Sequence, residues 1–344
     1  MHMADALLSP AVGTTMWAGS MATLGYSSKK LKENIDNKTI PLMGVMGAFI
    51  FAAMMINFTI PGTGSSGHIA GGILLTVMLG PYAAFLVLAS VLMVQALFFA
   101  DGGLLALGCN IWNMGFYPCF LGYPLIYKPI AGDGTSTKRI YIAAIVSTII
   151  ALQLGAFSVV LETLLSGRSE LPFGTFVLLM QPIHLTIGLV EGIITAGIIS
   201  YVKKVRPEIL EASNTLRPLD AGISLKNILA AFVILAVVTG GALSWFASTH
   251  PDGLEWSIQK VTGKGELAEQ TNGIASLLRN IQEKTAFLPD YNFKPVDKEK
   301  TGEGKPPVWP GIEAGTSFAG IVGGAIVLMF ILFIGFGIRL FKKQ

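Results

Sequence analysis

Residues 41–100 read PLMGVMGAFIFAAMMINFTIPGTGSSGHIAGGILLTVMLGPYAAFLVLASVLMVQALFFA, and none of these positions is Lys, Arg, Asp or Glu. About 20 consecutive apolar residues suffice for a helix to cross the hydrocarbon core of a bilayer. The stretch is too long for one buried helix. It is interrupted by the glycine- and serine-rich Pro61–His68 and by Gly80-Pro81, where proline cannot continue a helix. It therefore predicts several consecutive membrane-spanning helices.

The composition of the whole chain supports this prediction. Of its 344 residues, 52% are hydrophobic and 13% are charged, and the mean hydropathy is +0.63. Soluble domains carry about 25% charged residues, so a soluble enzyme is disfavoured. The net charge of +3 is small and is concentrated at the ends of apolar runs. We therefore expect the lipid bilayer as the surrounding medium and no nucleic-acid partner.

Further charge-poor runs outside residues 41–100 predict the remaining spans. The complete set is Asp5–Tyr26, Pro41–Ile60, Ile69–Leu79, Tyr82–Phe99, Leu104–Tyr127, Ile140–Leu165, Gly174–Val202, Asn227–Ala247 and Ser317–Leu340. The expected fold class is an all-α membrane protein. Seven spans fall in residues 1–205, a polar linker covers 206–226, and two more spans in 227–344 flank a polar segment, 248–316.

Basic residues predict the orientation, because Lys and Arg are retained in cytoplasmic loops. They cluster at Lys29–Lys38, at Lys138-Arg139, in the linker and at the C-terminus. All four clusters lie on one side only if Gly80-Pro81 separates two spans. The predicted N-terminus is then extracytoplasmic, together with residues 61–68 and 248–316, and the predicted C-terminus is cytoplasmic.

The usual enzyme motifs are absent from the sequence. There is no GxxxxGK[ST], and the glycine-rich run at residues 62–68 lacks the lysine that contacts phosphates. GxSxG and HExxH are also missing, so we expect a protein that is not an enzyme. Cys109 and Cys119 form neither a CxxC pair nor a zinc spacing, and they are expected to be buried thiols.

The chain start contains a potential metal chelate. The Met1 amine, the His2 amide nitrogen and the His2 imidazole can form a five-membered and a six-membered ring around one ion. His68, on the predicted outer loop, can supply a fourth nitrogen. Planar nitrogen ligation suits Ni(II) or Cu(II), whereas zinc prefers a tetrahedron. A deprotonated amide favours Ni(II), although the same ligands could hold Co(II).

This site requires a free Met1 that stays on the chain. Initiator methionine is trimmed before small residues, and His2 is not small, so we expect Met1 to be retained. The alternative is that Met-His is an accidental start without a role in metal binding. The predicted topology makes the two alternatives about equally strong, because it places the N-terminus and His68 on the same side.

Other polar residues leave further alternatives open. His184 is expected to be a hydrogen-bonded packing residue, or else to support a polar site together with Glu191, seven positions further along one helical face. His250 is expected on the solvated surface. A proton-coupled secondary transporter would use Glu191, Glu162 and Asp5 as relays. A membrane metal sensor is disfavoured because residues 203–226 are too short for an output domain.

Three motifs resemble the substrate-binding membrane component of nickel/cobalt energy-coupling factor transporters: MHMADA at 1–6, NFTIPGTGSSGH at 57–68 and GCNIWNMG at 108–115. The resemblance covers about residues 1–205, with Cys109 where a small residue such as alanine is expected. The motif PDGLEW at 251–256 resembles the small two-span accessory component of the same transporters. The chain therefore resembles a natural fusion of the two.

The resemblance carries its own expectations. It implies a seven-helix substrate component whose extracytoplasmic N-terminus inserts into the bundle, with the metal held by Met1, His2 and His68. It implies Ni(II) as the transported substrate, with Co(II) as the alternative, and no organic cofactor. It also implies a separate transmembrane coupling component and separate cytoplasmic ATPase subunits in a prokaryotic cell membrane. Whether residues 248–316 shape access to the site or gate its loading stays open.

Overall fold

The computed structural model describes residues 2–168, 172–219, 222, 224–263, 273–294 and 309–341. The predicted all-α class is confirmed, since this part of the chain is helical apart from one short hairpin. Its α-helices are α1 (Pro10–Asn34), α2 (Thr39–Met54), α3 (Gly72–Leu79), α4 (Pro81–Phe99), α5 (Leu107–Ile111), α6 (Lys128–Ala131), α7 (Thr137–Ser166), α8 (Phe173–Val205), α9 (Pro207–Thr215), α10 (Lys226–Gly241), α11 (Gly253–Thr262), α12 (Gly273–Thr285) and α13 (Ala314–Leu340).

A wide helix of π-type turns, Trp112–Tyr127, joins α5 to α6. It contains Pro118 and Pro124, which have no N–H to donate to the preceding turn. Proline therefore favours looser turns here over a regular α-helix. Helix α5 and the wide helix cover most of the span predicted for Leu104–Tyr127, and α6 continues beyond its end.

The predicted break between two helices at Gly80-Pro81 is confirmed. Gly80 has a φ of 79°, a conformation that glycine adopts without a Cβ clash, and it ends α3. Pro81 is the first residue of α4, where its missing N–H costs nothing.

The first predicted span is shifted along the chain. We expected Asp5–Tyr26, but α1 begins at Pro10 and continues to Asn34. The Ser9 side chain caps the helix by accepting a hydrogen bond from the Val12 N–H at 3.3 Å. Residues before Ser9 are thus released from the helix and enter the bundle.

The second predicted span is too long, because α2 ends at Met54 and not at Ile60. Strand β1 (Phe58–Ile60) then pairs antiparallel with β2 (Ser65–Gly67), so that Phe58 faces Gly67 and Ile60 faces Ser65. The glycine-rich segment is therefore the turn of a hairpin. Ser65, Ser66 and Gly67 are buried, so β2 is part of the protein interior.

Helix α9 lies in the first half of residues 206–226, where we expected a polar linker, and its Ile209 is buried. Ser213 Oγ of α9 donates to the Thr76 carbonyl oxygen of α3 at 3.4 Å. Helix α9 is thus packed against the bundle next to Gly80.

The described helices include four that are long and apolar enough to cross a membrane: α4, α7, α8 and α13. Helices α2 and α10 are apolar but shorter. Large apolar side chains such as Leu178 and Phe333 are 73% and 78% exposed, which is appropriate for contact with lipid. The chain is a multi-pass membrane protein.

The two C-terminal apolar helices pack directly on the N-terminal bundle. The Phe49 ring of α2 lies 5.4 Å from the Phe232 ring of α10. Gly47 and Gly335 leave room for Ile331 and Ile40 across the contact between α2 and α13. The N-terminal bundle and the C-terminal region therefore share one apolar core.

Candidate metal centre

The segment before α1 is fixed inside the bundle by its backbone. The Met3 N–H donates to Asn110 Oδ1 at 2.8 Å, and the Met3 carbonyl oxygen accepts from Asn110 Nδ2 at 3.3 Å. The Gly103 N–H also donates to the Met3 carbonyl oxygen, at 2.9 Å. Met3 is fully buried. His2 is therefore held at a defined position, whereas Met1 lies outside the described residues.

Asp5, a candidate proton relay, is part of this anchor. Its Oδ1 accepts from the Ala106 N–H at 2.9 Å. The turn at Gly103 approaches so closely that a Cβ there would lie 1.8 Å from Asp5 Oδ1. Asp5 thus joins the N-terminal segment to the start of α5.

His68 lies directly after β2, in a turn that a buried carboxylate holds in place. Glu191 of α8 accepts hydrogen bonds from the Ala70 N–H at 2.7 Å and from the Gly71 N–H at 3.0 Å. Glu191 therefore supports the loop that carries His68, which agrees with one of the two interpretations considered for it. Glu162 lies elsewhere, on α7, where its Oε2 accepts from Asn113 Nδ2 at 2.8 Å.

The structure brings His2 and His68 together, although they come from different segments. Their ring centroids are 5.0 Å apart and the ring planes differ by 28°. Among the described residues, the buried His68 Nε2 has no hydrogen-bond partner, and His68 Nδ1 is 3.5 Å from the Ile69 carbonyl oxygen. Burial lowers the pKa of both imidazoles, which favours the neutral form that binds metals.

Two further side chains, Gln95 and Asp101, contact His2 and were not expected from the sequence. His2 Nε2 lies 3.2 Å from Gln95 Oε1, and His2 Nδ1 lies 3.4 Å from Asp101 Oδ1. Gln95 is fully buried at the end of α4. The one sequence signal that could have pointed to Gln95 is its position as the single amide in a long apolar run.

The PDGLE segment lies beside His68. The Ser66 N–H donates to the Pro251 carbonyl oxygen and Ser66 Oγ donates to the His250 carbonyl oxygen, both at 2.8 Å. The Asp252 side chain caps the N-terminus of α11 by accepting hydrogen bonds from the Leu254 and Glu255 N–H groups. The backbone of this segment thus pairs with the hairpin at Ser66. His250 is exposed, as expected.

A small cavity next to His68 is lined by Asp252 and His184 among others. His184 is buried and its Nδ1 lies 2.8 Å from the Met180 carbonyl oxygen of the same helix. His184 is therefore a hydrogen-bonded packing residue whose ring borders the site. The expected thiols Cys109 and Cys119 are free and buried.

Within the described part of the chain, no group of three or more His, Cys, Asp or Glu side chains is arranged to hold a metal ion. Two imidazoles alone leave a transition metal under-coordinated. A metal ion at His2 and His68 therefore needs donors beyond these two side chains.

Two protein families match consecutive regions of the chain. Residues 2–209 match the CbiM family, described as "Cobalt uptake substrate-specific transmembrane region", and residues 226–340 match the PDGLE domain. The chain is 34% identical to a "Putative fused nickel transport protein NikMN" of Archaeoglobus fulgidus, over 95% of this chain and 96% of that protein.

A second fused relative and a crystal structure are also similar to this chain. A "Fused nickel transport protein NikMN" of Rhodobacter capsulatus is 28% identical over 85% of this chain and 88% of its own length. A crystal structure titled as a transition metal transporter superposes with a TM-score of 0.54 at 33% identity, covering 63% of this chain and all of that chain. Both similarities concern proteins described as transporters.

Proposed function

Because this chain belongs to the CbiM family and carries a PDGLE domain behind the CbiM region, we propose that it captures Ni(II) for an ATP-driven energy-coupling factor transporter. The ion is the transported substrate. It binds in a flat site formed by the Met1 amine, the His2 amide and imidazole, and the His68 imidazole.

One observation carries the proposal: the buried His68 Nε2 has no hydrogen-bond partner in the described part of the chain, and its ring stacks beside that of His2. An unsatisfied buried nitrogen costs free energy unless a ligand uses its lone pair. The missing partner is supplied by an ion that also binds His2. The anchoring of Met3 by Asn110 keeps His2 close to His68, which supports binding of one ion by both residues.

The chemistry of the donors favours nickel. A free amine, a deprotonated amide and an imidazole on consecutive residues close two unstrained rings in one plane. Four nitrogens in a plane suit Ni(II) and disfavour zinc, which prefers tetrahedral coordination. The names of the fused relatives agree with nickel. The alternative is Co(II) in the same site, which agrees with the description of the CbiM family.

The proposal is tested by metal binding to the purified full-length chain. His2→Ala and His68→Ala remove a ring nitrogen each and are expected to abolish stoichiometric Ni(II) binding. His250→Ala is the matched control, because its side chain is exposed and only its backbone contacts the hairpin. Wild type and control should bind one Ni(II) per chain, with the absorption of a square-planar, diamagnetic complex.

Insertion of one alanine between Met1 and His2 examines the chelate itself. The insertion keeps every donor but changes the ring sizes, so affinity should fall and the spectrum should change. Unchanged affinity and spectrum would exclude the flat chelate. Competition between Ni(II) and Co(II) on the same preparation decides between the two metals.

The partners follow from the same proposal. The sequence has no phosphate-binding loop, so ATP is hydrolysed by separate cytoplasmic subunits that act through a transmembrane coupling component. The N-terminus and the site face the extracytoplasmic side, where the ion enters. The rival mechanism is a proton-coupled transporter with Glu191, Glu162 and Asp5 as relays. It is less well supported because Glu191 accepts hydrogen bonds from the backbone of the His68 loop and Asp5 accepts one from the Ala106 N–H.

A further inference from the structure

We propose that Tyr291, which belongs to the PDGLE domain, is a positioning residue that fixes the tautomer of His2 through Asp101 and Gln95. This inference rests on the proposed function, since the tautomer matters because His2 Nδ1 binds the metal. It extends that function by giving the C-terminal region a direct effect on a metal ligand.

Tyr291 reaches the site from a short 3₁₀ turn, Pro289–Tyr291. Its hydroxyl donates to Asp101 Oδ2 at 2.5 Å and accepts from Gln95 Nε2 at 3.1 Å. Gln95 Oε1 in turn lies 3.2 Å from His2 Nε2. A continuous path of hydrogen bonds therefore runs from the C-terminal region to the His2 ring.

The path can run in one direction only. A carboxylate accepts hydrogen bonds and donates none, so the Tyr291 hydroxyl must give its proton to Asp101. The Tyr291 oxygen then accepts from the Gln95 NH₂ group, which leaves Gln95 Oε1 facing His2. Because that oxygen accepts only, His2 Nε2 must carry the hydrogen.

The opposite tautomer would break the path. With hydrogen on Nδ1, His2 Nε2 would face Gln95 Oε1 with two lone pairs opposed. Turning the Gln95 amide over would make the Tyr291 hydroxyl donate to Gln95, and Asp101 Oδ2 would exchange that hydrogen bond for the longer 3.4 Å contact between His2 Nδ1 and Asp101 Oδ1. The Nε2–H form keeps all three hydrogen bonds of the path and leaves the Nδ1 lone pair facing Asp101 Oδ1, two acceptors that a bound cation would bring together.

This tautomer prepares the ring for the ion. Nδ1, the nitrogen that closes the six-membered chelate ring, keeps its lone pair, while Nε2–H donates to an amide oxygen. Metal-binding histidines commonly donate their second N–H in this way, which fixes ring orientation. Asp101 Oδ1, 3.4 Å from Nδ1, adds a negative charge beside the position of the cation.

The surroundings hold Tyr291 firmly enough for this role. Its ring stacks on Phe99 of α4 with centroids 5.0 Å apart and 19° between the planes. Asp290 and Tyr291 have φ values of 51° and 58°, which non-glycine residues adopt only under constraint. Gln282 of α12 donates to the carbonyl oxygens of Ala96 and Gly102, so the C-terminal region is attached on both sides of Asp101.

The decisive variant is Tyr291→Phe, which keeps the stacked ring and removes only the hydroxyl. With ¹⁵N-labelled histidine in the metal-free full-length chain, at a pH where the imidazoles are neutral, wild-type His2 should show the Nε2–H tautomer. Its signals are assigned by their absence in His2→Ala. In Tyr291→Phe the two tautomers should mix.

Nickel binding provides the second measurement. Loss of the direct hydrogen-bond partner of a metal ligand costs about 10- to 100-fold in affinity. Because Tyr291 acts on His2 only through Gln95 and Asp101, we expect a loss of at most about tenfold in Tyr291→Phe. One Ni(II) per chain and the wild-type absorption spectrum should be kept. Tyr201→Phe, on an exposed residue of α8, is the matched control and should change neither measurement.

Asp101→Asn provides an independent variant if Tyr291→Phe does not fold. Asparagine has nearly the same volume but can donate as well as accept, so the path loses its direction and the tautomers should again mix. An Nδ1–H tautomer in wild type would overturn the proposal, as would an unchanged tautomer in both variants. The tautomer is measured without metal, so the test of this proposal is independent of the test of the proposed function. The proposed function fails if His2→Ala still binds Ni(II) as wild type does.

Discussion

Glu191 is a fully buried carboxylate whose two oxygens accept hydrogen bonds from the Ala70 and Gly71 backbone. Replacing it by alanine leaves two buried N–H groups unpaired, at a cost of about 1–3 kcal/mol each. We predict that Glu191→Ala lowers the thermal stability of the metal-free protein and weakens Ni(II) binding by displacing the His68 loop. Thermal unfolding in detergent and nickel titration measure the two effects.

Glu191→Gln refines this prediction. Glutamine keeps one accepting oxygen, so its effect on both quantities should lie between those of wild type and alanine. Glu211→Ala, on an exposed residue of α9, is the control. Loss of stability without any loss of affinity would show that Glu191 does not position His68.

At the scale of elements, α10 and α13 meet at a pair of glycines. A Cβ on Gly320 would lie 2.3 Å from the Gly240 carbonyl oxygen and 2.5 Å from its carbonyl carbon, neither of which can move aside. Small residues allow such close helix approach in membranes. The contact between these helices therefore depends on the absence of a side chain.

We predict that Gly320→Ala destabilises the protein by about 1–3 kcal/mol, the usual cost of overpacking. Gly337→Ala is a matched control on the same helix, because nothing lies within 4 Å of its added Cβ. The control should be neutral or slightly stabilising, since alanine favours helix over glycine. Equal melting temperatures for the two variants would contradict the close contact.

The elements differ in how well the sequence predicts them. Hydropathy locates the apolar helices, and Gly80-Pro81 marks the break between α3 and α4 because both residues act locally. The hairpin was missed, because Ser65, Ser66 and Gly67 have no alternating apolar pattern. Its pairing depends instead on burial and on the distant Pro251 carbonyl oxygen.

The residues of the candidate site also differ in how well the sequence predicts them. His2 and His68 were selected from the chemistry of their nitrogens, and the structure places the two rings side by side. Gln95 stands out only as a single amide in an apolar run, and Asp101 and Tyr291 carry no signal of their own, because the roles of all three arise from contacts between segments almost 200 residues apart in the chain. The role of Met1 stays a prediction.

At the scale of the whole molecule, the C-terminal region completes the surface of α2, which is buried almost from end to end. We predict that residues 1–219 and 220–344, expressed as two chains in one cell, associate and co-purify. The apolar contacts between α2, α10 and α13 supply the free energy, since no covalent link is needed for them. Affinity purification with a tag on one chain measures the association.

Gly47→Leu should reduce this co-purification, because a Cβ on Gly47 would lie 2.3 Å from Ile331 Cδ1. Gly25→Leu on α1 is the control, since nothing lies within 4 Å of its Cβ. Failure of the two wild-type chains to associate would mean that the connection through α9 is needed to hold the regions together.

Helix α9 connects the C-terminal region to the bundle, and this connection changes how strongly mutations in the C-terminal region affect its association with the bundle. Tethering turns a bimolecular encounter into an intramolecular one with an effective concentration on the order of millimolar. Substitutions that weaken docking by tenfold or so are thereby buffered in the single polypeptide. Equivalent changes in a two-gene arrangement would dissociate the pair, so the joined form has more freedom to vary its contact surface without losing function.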